Sequence, residues 1–200
     1  MSFCDEDLRM IKLPQKTYEF IELSVASLFS ELEITKYPID PFDIIGRKGY
    51  VLFKYADLSL KKRLALRSQG RDAISFYNPN TGRFEIYYDS SQSWERIRFT
   101  LMHEVGHIVL GHKEESDLAK KMADAFAAYA LAPSPIIMKF KCEDYIDIMN
   151  TFSVSEPCAR IIIDRYNNWF MYGGFLKEYE KILISLFESS NINERGDAYE

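Results

Sequence analysis

The sequence predicts an α+β fold, mainly helical, with a short few-stranded sheet and one histidine-bearing helix. Three observations predict it. Most of the chain repeats apolar residues at helical spacing. One pair of segments alternates apolar and polar residues on either side of a Pro/Asn/Gly turn. All 3 histidines of the 200 residues fall within residues 93–112, SWERIRFTLMHEVGHIVLGH.

Taken in order, residues 1–14 read as a loose leader ending at Pro14. Over 17–34, Phe20, Leu23, Leu28 and Leu32 recur at near-helical spacing and predict an amphipathic helix. Asp40 is placed to cap a short helix, with Pro41 in its first position and Gly46 at its stop. Residues 50–54, YVLFK, predict a strand. A helix over 57–69 is expected with Leu60, Leu64 and Leu66 inward, and its Lys61, Lys62, Arg63 and Arg67 read as a solvated face.

Residues 73–77 and 83–88 predict a β-hairpin around a five-residue loop, NPNTG. Ile74, Phe76, Phe84, Ile86 and Tyr88 are assigned to one face, and Ser75, Tyr77, Glu85 and Tyr87 to the other. After the histidine helix, a helix over 116–132 is halted by Pro133 and Pro135. Further helices are expected over 143–151, from Ser155 to 171, and over 177–188, with 189–200 a disordered tail. Residues 15–188 suit one domain, since a domain takes roughly 100–200 residues.

The histidine helix carries chemistry. His103 and His107 stand four apart, on one helix face, with Cβ atoms about 5–6 Å apart. That spacing lets two imidazoles share one Zn²⁺, and Glu104 lies beside them where it can take a proton from water. Ser93 is a fitting N-cap, and Gly111 stands where a glycine closes the last turn. The remaining residues are apolar around most of the circumference, a costly setting for two histidines unless something binds them. His112, five beyond His107 and off the shared face, is read as a histidine favourably placed near the C-terminal dipole.

Composition excludes other classes. The net charge of −5 disfavours broad binding to nucleic acid or anionic membrane. Cys4, Cys142 and Cys158 are odd in number and far apart, so they form neither a disulfide framework nor a cysteine zinc site. The acidic start and the absence of a spanning apolar run predict a cytoplasmic protein.

These motifs in combination resemble the ImmA/IrrE family of metallopeptidases. Pro38–Ile39–Asp40, Ser75–Phe76–Tyr77 and Arg98–Phe99–Thr100 match its outer segments, and His103 to His112 matches its H-E-[LV]-G-H-x-x-L-G-H run. Phe126 to Pro133 and Phe152–Ser153–Val154–Ser155 match its later ones, so the resemblance covers about residues 17–187. It implies a small zincin-like α+β domain acting in the cytoplasm. The implied activity is zinc-dependent cleavage of a helix-turn-helix repressor, often in phage or mobile-element regulation.

The third metal ligand departs from that pattern. The family draws it from a glutamate on the following helix, and the two matched positions here hold Lys120 and Met122. Neither a protonated amine nor a thioether suits zinc beside two imidazoles. Asp124, one turn from Lys120 on the same face, is the candidate third ligand, with Asp117 nearly a turn the other way. Asp124 has an alternative role, accepting a hydrogen bond from a ligand histidine. Lys120 is expected to pair with Asp124 or Glu104. A strand bordering the site would hold an extended peptide by β-addition, with Phe84–Tyr88 the candidate. Two functions stay open: a zinc endopeptidase with Glu104 as general base, and a degenerate module that grips a protein partner without cutting it.

Overall fold

The computed structural model describes residues 13–196 except Gln69, Glu115 and residues 174–175; of 172–173 and 190–196 it describes the backbone alone. Residues 1–12 of the expected leader, including Cys4, and residues 197–200 of the expected tail lie outside the described residues. The elements run α1 (Gln15–Glu31), α2 (Pro41–Arg47), β1 (Val51–Lys54), a 3-10 turn (Tyr55–Asp57), α3 (Leu60–Ser68), β2 (Ala73–Asn78) and β3 (Arg83–Tyr88). They continue with α4 (Trp94–Val109), α5 (Asp117–Leu131), α6 (Ser134–Phe140), α7 (Tyr145–Phe152), α8 (Glu156–Gly173) and α9 (Glu178–Gly196). The fold is α+β and mainly helical, with a three-stranded sheet. No described helix is long and apolar enough to cross a membrane.

Two compact units emerge: Asp40–Ala127, and Met1–Ile39 with Ala128–Glu200. In the second, α1 buries Ile21, Val25, Leu28 and Phe29, a stripe of helical spacing. Phe20 and Leu23, expected to face inward, are half exposed, because the buried stripe lies one residue on. The α9 helix packs against α1, and Tyr179 donates to Glu22 at 2.7 Å. The buried Glu180 accepts from the Trp169 indole and from the Lys177 backbone, both at 2.7 Å. Prolines 133 and 135 do more than halt α5: Pro135 enters the first turn of α6, a helix the sequence reading missed. The backbone of α9 continues to Gly196, past the expected end at 188.

In the Asp40–Ala127 unit, Asp40 caps α2 as expected, accepting from the Phe42 backbone N–H at 2.9 Å. The sheet order is β1-β3-β2, with β1 parallel and β2 antiparallel to β3. Asn78 pairs with Arg83, which leaves a four-residue loop closed by Gly82 at φ +67°. That shift of one residue inverts β2. Ser75 stands opposite Ile86 and Phe76 opposite Glu85, so Ser75, not Phe76, shares the buried face of Ile86. The expected face assignment for β2 is therefore wrong.

The helix α3 buries none of its residues. Leu60 and Leu64, expected inward, are 61% and 56% exposed, while Arg63 and Leu66 are half-buried. Lys61 and Lys62 are exposed, in keeping with a solvated face. Arg67 tethers the helix, donating to Asp89 at 2.9 and 3.1 Å and to Ser91 at 3.1 Å.

Candidate metal centre

The α4 helix begins where Ser93 Oγ accepts from the Arg96 backbone N–H at 3.3 Å, and it ends before Gly111 at φ +70°. Leu101, Met102, Val105 and Gly106 form its buried side, and the helix packs on β2 and β3. Gly106 permits a close approach. A Cβ there would meet Phe126 side-chain atoms at 3.0 to 3.2 Å, so α4 and α5 lie nearly backbone to side chain at this point. Phe126 is fully buried, worth about 1.5–3 kcal/mol for a side chain of this size. That packing sets the separation between the histidines on α4 and Asp124 on α5.

His103 and His107 turn their Nε2 atoms toward each other at 3.0 Å. The outer nitrogen of each ring is also taken. Asp124 Oδ1 lies 2.7 Å from His103 Nδ1, and His112 Nδ1 lies 2.9 Å from His107 Nδ1. Glu104 is 7% exposed, and Ser75 Oγ donates to its Oε2 at 2.5 Å. Lys120 is exposed and acts on His107 as a nearby positive charge. The expected pairing of Lys120 with Asp124 or Glu104 gives way to the contacts of those carboxylates with His103 and Ser75.

Electrostatics divide the three rings. Burial works against a charge on His103, but the hydrogen bond and charge of Asp124 outweigh it and raise its pKa above the usual histidine value. Burial, reinforced by the positive charges of His103 and His112, lowers His107 to about 4. Burial also lowers His112, followed by the charge of His103. His112 stands past the end of α4 and turns its Nδ1 to His107.

Asp117 opens α5 and is exposed, as is Glu114. Tyr87 donates to Glu85 at 2.9 Å, Tyr88 packs on Phe42, and Tyr77 packs on Phe84, so all three serve the hairpin and its surroundings. The strand expected to add a peptide, Phe84–Tyr88, lies in β3 between β1 and β2, with both edges already paired. The edge strand beside α4 is β2.

A profile of the IrrE N-terminal-like domain, a peptidase family, matches residues 62–160. The chain belongs to the ImmA/IrrE peptidase family. No curated protein matches it at a meaningful level of similarity. Membership places it among metallopeptidases, whose substrates are proteins, and the matched span contains every residue of the centre described above.

The donor set meets a family metal half-way. Two nitrogens held about 2.0–2.1 Å from one tetrahedral ion stand roughly 3.3 Å apart, close to the Nε2 separation seen here. A carboxylate on the outer nitrogen of a ligand histidine is also typical support for such a site. Among the described residues, however, no group of three or more His, Cys, Asp or Glu side chains is gathered to hold a metal ion. Two histidine donors fit; among the described residues no third protein donor joins them.

Proposed function

We propose that this protein is a zinc-dependent endopeptidase of the cytoplasm, acting on a helix-turn-helix repressor. The observation that carries the reading is the facing pair of Nε2 atoms with both outer nitrogens supported. In this reading His103 and His107 hold the ion. Asp124, the third ligand expected from sequence, contacts His103 Nδ1 and so takes the orienting role instead. Bound there, zinc supplies Lewis-acid activation of water and of the scissile carbonyl.

The chain's own residues do the rest. Glu104 accepts the proton of the attacking water and returns it to the leaving amine. Ser75 holds the Glu104 carboxylate through Oε2, fixing its direction within a buried setting. The substrate segment lies along the edge of β2 by backbone pairing. Ser75 belongs to that strand, so the peptide and the base are positioned by one element.

A second reading has support of its own. Lys120 and Met122 stand where the family's glutamates are expected, and two imidazoles alone make a weak site. In that case the domain binds its protein partner without cutting it. Incubating the zinc-supplemented protein with a purified helix-turn-helix repressor separates the readings by mass spectrometry. Cleavage gives two complementary repressor fragments with one new terminus. Intact repressor that co-elutes with the domain supports the binder.

A further inference from the structure

From the contact between His112 and His107 we infer that His112 is a positioning residue for the metal centre. It would hold His107 in the tautomer that ligates. The inference rests on the reading of His103 and His107 as zinc ligands. A neutral imidazole carries its proton on one nitrogen and a lone pair on the other. For Nε2 of His107 to face an ion with its lone pair, the proton must sit on Nδ1. The partner of that Nδ1 is His112 Nδ1, at 2.9 Å, close enough to accept it.

Two observations support this arrangement. His103 has the same architecture, with Asp124 on its outer nitrogen, so each ring of the pair is anchored from behind. His112 Nε2 is buried with no hydrogen-bond partner among the described residues. Among the described residues the ring's one polar contact is thus the one to His107, and the helix stop at Gly111 delivers it there. With the His107 proton on Nδ1, His112 accepts through its own Nδ1 and carries its proton on Nε2. Each ring keeps one proton, and both are neutral.

The test compares zinc affinity of the full chain in three forms: wild type, His112→Phe and His112→Asn. Phenylalanine keeps ring bulk without an acceptor, whereas asparagine offers an oxygen close to the place of Nδ1. Loss of an outer-shell partner typically costs about 10–100-fold in metal affinity. His112→Phe is expected to lose affinity in that range, and His112→Asn to recover most of it. The ¹⁵N shifts of His107 in the zinc-loaded wild type are expected to report a proton on Nδ1, a signature that bulk packing would not set. Wild-type affinity in His112→Phe, a loss equal in both variants, or a proton on Nε2 of His107 would overturn the inference. A wild type that binds no zinc removes the underlying metal reading as well, and shows it without any variant.

Discussion

Glu104→Gln is expected to retain zinc and to lose repressor cleavage by at least about 10²–10⁴-fold, the share that a positioned general base contributes. Glutamine keeps the size of the side chain and can still accept from Ser75, so the buried contact of Oε2 survives in altered form. What disappears is the ability to take up a proton. Ser75→Ala is expected to act through the same group with a smaller loss. A hydrogen bond to a charged partner contributes about 1.5–3 kcal/mol, which corresponds to roughly a 10–100-fold effect if it is realised in the reaction. Cleavage rates with one defined repressor at saturating zinc measure both. Wild-type turnover by Glu104→Gln would remove this carboxylate from the mechanism.

The largest gain is expected from Lys120→Glu. Lys120 lies one helical turn before Asp124 on α5, and its positive charge is felt at His107. A carboxylate in its place removes a repulsive charge and offers the donor that the two imidazoles lack. Zinc binding by full ligand sets spans about 10–16 kcal/mol, so one ligand is worth roughly 3 kcal/mol, on the order of 100-fold in affinity. Asp124→Ala is expected to move the other way by about 10–100-fold, as an orienting partner of His103 should. Isothermal titration with zinc measures the two variants side by side. An unchanged affinity in Lys120→Glu combined with a far larger loss in Asp124→Ala would make Asp124 itself the third ligand.

How much of this was legible in the sequence varies by element. The α4 helix was clear because its signals are local: a serine cap, a terminal glycine, and His103 and His107 spaced by one turn. The Asp40–Pro41 start of α2 was legible for the same reason. The hairpin shows the limit. Both strands were evident, but counting Asn78 as loop instead of as the partner of Arg83 shifted the register by one and turned Ser75 away from the core. The contact between Ser75 and Glu104 was hidden by that single residue.

Tertiary packing settled what periodicity left open. In α1 two neighbouring stripes were both apolar, and the one containing Ile21 and Val25 won. In α3 the spacing of Leu60 and Leu64 predicts core, yet the helix is tethered by Arg67 instead of by apolar burial. His112 was read from its position along the chain. The turn after Gly111 folds it back to His107, a contact that position along the chain does not reveal.

The central claim is that His103 and His107 jointly bind one divalent ion. Zinc content of protein purified under zinc-replete conditions, wild type against His103→Ala, tests it most directly. One zinc per wild-type chain, with a near-complete loss in His103→Ala, is the expected result. Near-zero zinc in both proteins, or equal zinc in both, would contradict it.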